Sequence, residues 1–75
     1  AAYQNANKAY NGWEDQLRDM KLNPEKYAHL SDDQFCQKVS DIQNKMKKIR
    51  IKITNEYDTQ QRKSNLEDWT PARCR

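Results

Sequence analysis

Glycine occurs once in this chain and proline twice. Folds assembled from tight turns and strands need far more glycine than that, so the chain is expected to be mostly helical. Long apolar runs are also missing, and nothing here is long enough to cross a bilayer. The mature chain is expected to be soluble, with no targeting motif. Its start, Ala1-Ala2-Tyr3-Gln4, is compatible with cleavage after a small residue.

Catalytic groups are equally sparse. The single histidine, His29, has no serine or cysteine beside it at any recognised spacing. Asp32 and Asp33 are neighbours, and neighbours on a helix point about 100° apart, which does not suit a shared metal. There is no glycine-rich phosphate loop. The expectation is therefore a non-enzymatic chain with no catalytic residues, no metal and no cofactor.

A chain of 75 residues makes one domain, spanning 1–75, and buries little of its unfolded surface. Apolar residues are 35% and charged ones 33%, near the composition at which burial fails to offset chain entropy, so disorder is the competing outcome. A staple, a partner or a second copy is expected. Charge is uneven too: residues 1–35 carry net −2 and residues 36–75 net +5, so an acidic partner would meet the second half.

What is present is regular spacing. Tyr3, Ala6, Tyr10, Trp13, Leu17 and Met20 recur at intervals of three and four, one stripe of a helix over residues 2–21. Gly12 lies within it and should mark a bend or a close packing contact. Asn23-Pro24 ends the run, because the residue before proline is pushed out of helical geometry. Leu30-Ser31-Asp32-Asp33-Gln34-Phe35 then reads as a capping box with a hydrophobic staple, with two aspartates where the helix dipole favours them. Phe35, Val39, Ile42, Met46, Ile49 and Ile53 continue a second seam, on a helix over about 32–60. The alternation of isoleucines from Ile49 to Thr54 resembles a strand, but a strand here has no partner. With a loop at 22–31, the two seams bury each other as an antiparallel hairpin.

Cys36 and Cys74 match neither a paired-cysteine redox motif nor a four-ligand zinc site. A disulfide between them is the leading reading, beside two reduced thiols or a bridge between chains. A loop of this length contributes roughly 4 kcal/mol in the chain-entropy model. Reach limits the geometry. If the second helix ran unbroken to residue 63 it would carry the chain about 40 Å past Cys36, beyond what the remaining residues can span. The helix should end near 60 or before, and the tail over 61–75 should return along its back. Leu66 and Trp69 are expected to cover Ile51 on that side, with Ser64 and Glu67 capping a short third helical turn that Thr70-Pro71 ends. The expected fold is all-α: a hairpin clasped by its own C-terminus.

Two surfaces are candidates for a partner. Lys45, Lys47, Lys48, Arg50 and Lys52 crowd one stretch, and Lys38, Lys45, Lys48 and Lys52 form a line beside the seam. That line could stay solvated, pair with Glu14, Asp15 and Asp19 of the first helix, track phosphates, or meet an acidic protein. The loop offers Tyr27, an aromatic beside Pro24 and Leu30, either as a binding anchor or as packing across the hairpin end. The other aromatics, Tyr57 among them, are expected in the core.

Trp13, followed by a loop and a basic helix, is similar over residues 10–52 to the Myb/SANT-like DNA-binding domains, in which a tryptophan-bearing helix precedes a basic recognition helix. That domain has three helices, and no third helix is expected before Ala2, so no family is assigned. The leading expectation is an extracellular or periplasmic protein-binding module of inhibitor, exclusion or effector type. The second is an intracellular nucleic-acid binder using residues 38–52. The third is a homodimer formed through the second helix around Ile53 to Gln60.

Overall fold

The computed structural model describes residues 2–56 and 63–75. Helix α1 spans Ala2–Leu22 and helix α2 spans Asp32–Glu56, with a 3-10 turn over Pro24–Tyr27 between them. They form the antiparallel hairpin, and the chain then returns through 3-10 turns at Asn65–Asp68 and Ala72–Cys74. Expectations for residues 57–60 of the second helix, and for Tyr57, lie outside the described residues.

The start of α2 follows the sequence closely. Gln34 donates its amide to Ser31 Oγ at 3.1 Å, and Ser31 donates its amide to Gln34 Oε1 at 3.2 Å. Each bond satisfies a donor that a helix start would otherwise leave open. Leu30 packs against the core that contains Phe35. The isoleucines of Ile49 to Thr54 are helical, since α2 continues past them.

The core has three contributors. Tyr10, Leu17 and Met20 come from α1, Phe35, Val39, Ile42 and Met46 from α2, and Leu66 from the tail. Fully burying such side chains is worth roughly 1.5–3 kcal/mol each, so the tail residue carries weight in a domain this small. Trp13, Tyr27, Ile49 and Trp69 pack on the rim, whereas Tyr3, at the end of the α1 stripe, is exposed.

Three details depart from expectation. α1 runs through Gly12 without interruption, and a Cβ built there would meet nothing within 4 Å. The glycine therefore marks no close packing contact. Ile53, expected to be available to a second copy, is only 3% exposed. Ile51 remains 51% exposed, so Leu66 and Trp69 do not cover it.

The reason for the last difference lies in which row of α2 the tail follows. Cys36, Gln43 and Arg50 stand seven residues apart, and such a row drifts only about 20° per step around a helix. All three hold the tail. The row flanks the seam on one side, so a chain lying along it drops Leu66 into the core. Ile51 sits about 100° round from Arg50, beyond the reach of that chain.

Candidate functional site

At the N-terminal end of α2 the tail is fastened covalently. Cys36 and Cys74 are bridged, with Cα atoms 5.7 Å apart. Beside them Arg73 closes the end of the hairpin. Its Nε donates to Asp32 Oδ1 at 2.7 Å, its Nη1 to the Tyr27 carbonyl at 3.1 Å and its Nη2 to the Leu30 carbonyl. The guanidinium lies over the Phe35 ring, 4.6 Å from its centroid, a cation–π stack in a partly dry setting.

In the middle, Gln43 Nε2 donates to the carbonyls of Leu66, at 2.9 Å, and Trp69, at 2.7 Å. Farther along, Glu67 is 1% exposed. Its carboxylate accepts from Arg50 Nε at 3.0 Å on both oxygens and from Tyr10 Oη at 2.6 Å. The Tyr10 hydroxyl in turn accepts the Ser64 amide at 2.8 Å. A buried carboxylate is tolerable only when paired in this way. Burial, and then the hydrogen bond to Glu67, push the Tyr10 phenol up to about 12. Ser64 does cap the short turn, accepting from Leu66, but Glu67 does not; it points inward to Tyr10 and Arg50.

Tyr27 is occupied as well. Its hydroxyl donates to Asp19 at 2.8 Å and its ring meets Phe35 edge-on. Asp19 also accepts from Asn23 and Lys26, and these bonds, the one from Tyr27 foremost, hold its carboxyl below the usual range. The loop tyrosine thus packs across the hairpin end.

The lysines are placed differently. Lys38, Lys45, Lys48 and Lys52 are all exposed. The carboxylates of α1 that could have met them are engaged elsewhere: Glu14 and Asp15 with Arg18, Asp19 with Lys26. Among the described residues none of the four lysines has an ion pair. Arg50, counted with them in the sequence, belongs instead to the tail's anchorage.

A cleft of about 510 Å³ lies between α1 and the tail, edged by Glu14, Arg18, Lys21, Leu22 and Lys63. Its charges are mixed, and Arg18 and Lys63 are already paired, the latter with Asp68 at 2.6 Å. Among the described residues no group of histidine, cysteine and carboxylate side chains could hold a metal ion, and no helix is long and apolar enough to cross a membrane.

Sequence reasoning paired the cysteines correctly but missed Tyr10, Gln43, Arg50 and Glu67 as a set. The available signal was the row Cys36, Gln43, Arg50. No protein-family model, curated protein or solved structure matches the chain.

Proposed function

We propose that this chain is a non-enzymatic protein-binding module that works in an oxidising compartment, extracellular or periplasmic, as an inhibitor, exclusion factor or effector. The observation that carries the reading is the bond between Cys36 and Cys74, because it fastens the segment that completes the core. Closing a loop of 38 residues contributes roughly 4 kcal/mol, much of the stability a chain of this size has. A fold that leans so heavily on a disulfide suits a setting where disulfides persist. Small stapled scaffolds mostly present surfaces to other molecules, and the long exposed side of α2 is the surface on offer.

The test is the intact mass of protein isolated from its natural source without reductant, compared before and after reduction. A shift on reduction supports the reading. Free thiols at the outset would sink it.

A second reading, an intracellular nucleic-acid binder, draws on Lys45, Lys48 and Lys52, which are exposed and have no ion pair among the described residues. Binding to phosphates must weaken steeply between about 50 and 200 mM salt, so a flat response removes it.

A further inference from the structure

α2 has three sides, and two are taken: α1 lies on the seam and the tail lies along Cys36, Gln43 and Arg50. The third side carries Lys38, Asp41, Lys45, Lys48 and Lys52, all exposed, at successive intervals of three, four, three and four. This is the same spacing as the buried seam, written in charge. Ile51, half exposed, stands at its edge.

We propose that this stripe docks one amphipathic helix of a partner protein, acidic opposite Lys45, Lys48 and Lys52, apolar opposite Ile51 and basic opposite Asp41. The proposal rests on the protein-binding reading and names where the partner sits and what it carries. Three observations select a helix over other occupants. Spacing of three and four keeps a row in contact with a second helix packed at a shallow angle, where each lysine meets a carboxylate at matching rise. A phosphate strand gains nothing from Ile51 and is repelled by Asp41, whose carboxylate accepts from Gln37 and, among the described residues, pairs with no cation. A second copy would bring four lysines against four lysines and a single aspartate, which like-charge repulsion opposes.

The test uses the intact, disulfide-bonded protein and three probes. The first is a synthetic amphipathic helix of about 18 residues with glutamates and leucines at the complementary positions and one lysine to face Asp41. The others are polyglutamate of equal length and a short DNA duplex. Titration of isotopically labelled protein should shift the amide signals of residues 38–52 with the helix, and bind it at least about tenfold more tightly than polyglutamate or duplex. Ile51→Ser should weaken the helix about threefold to tenfold and leave the duplex unchanged. Asp41→Lys should weaken the helix while tightening the duplex. Both side chains are exposed, and an unchanged melting curve for each variant separates binding from folding.

The proposal is overturned if the helix leaves the stripe's signals unmoved, if duplex or polyglutamate binds as tightly, if both variants leave helix affinity unchanged, or if the protein dimerises through this face. Those results would leave the oxidising-compartment reading standing. Free thiols in the native protein would instead remove that reading without touching the titration.

Discussion

The tail is held at two places by opposite means. Near the start of α2 it is joined by a covalent bond that is partly open to solvent. Fourteen residues further on, at Arg50, it is held by a charge pair whose carboxylate is sealed from water. The first end limits the unfolded chain as much as it secures the folded one. The second acts only when folded, and then specifies which part of the tail belongs in the core. One end sets how far the tail can stray; the other sets its register.

Removing the covalent end should have the largest effect. The Cys36→Ser, Cys74→Ser pair should lose roughly 4 kcal/mol in urea unfolding. A domain of 75 residues has about 4–11 kcal/mol in all, so this variant should lose from about a third to all of its stability. If it melts like the parent, the ionic end alone suffices and the comparison fails.

Next comes Arg50→Met, which strands Glu67 without its cation and should cost about 3 kcal/mol. The double variant Arg50→Met, Glu67→Leu should recover much of that loss, because an apolar pair of similar volume has no charge to desolvate. Equal losses in single and double variants would mean that packing, and not charge, secures this end.

Alkaline pH sharpens the contrast by a third route. The Tyr10 phenol is raised in the fold from 10.0 to about 12. A raised value means the fold favours the protonated form. Its contribution is complete below pH 10 and is lost as pH climbs through about 12. Tyr10→Phe should cost about 1.5 kcal/mol at neutral pH, by leaving Glu67 and the Ser64 amide each short of a partner, and should flatten this alkaline decline. A decline of undiminished slope in the variant would assign it to another group.

The smallest expected effect lies outside the tail. Gly12→Ala should stabilise α1 by roughly 0.5–1 kcal/mol, since the site is helical and nothing stands in the way of a methyl group. A destabilised variant would mean that Gly12 has a role which its open surroundings do not reveal.

The same contrast explains what could be read from the sequence. Apolar spacing marked both helices, the capping box placed the second start, the two cysteines fitted no other motif and so paired with each other, and chain reach then required the tail to return along the second helix. Those signals are additive along the chain and need no partner to be recognised. Arg50 and Glu67 each resemble ordinary surface residues until they meet. Arg50 read as one of a basic cluster and Glu67 as a cap, because a charge is expected in water unless its counter-charge is known. Ile51 erred in the other direction. An exposed isoleucine seemed to require cover, yet single exposed apolar residues are common. The lysines kept the solvated position that composition suggested, and only the engagement of the α1 carboxylates elsewhere showed that they do not pair across the hairpin.

Arg73 has a further consequence, in how the molecule meets proteases. A trypsin-like enzyme must draw a lysine or arginine side chain into its specificity pocket before cutting. The Arg73 guanidinium is committed to two loop carbonyls, a carboxylate and an aromatic face, and Arg50 is committed to Glu67. Cutting at either requires the fold to open first, so the cleavage rate there follows the population of the open form. The loop lysine Lys26, whose one side-chain partner among the described residues is an exposed contact to Asp19, has no such protection. A basic chain that would seem an easy substrate instead presents two of its arginines already spoken for, and limited digestion becomes a direct gauge of how often the clasp lets go.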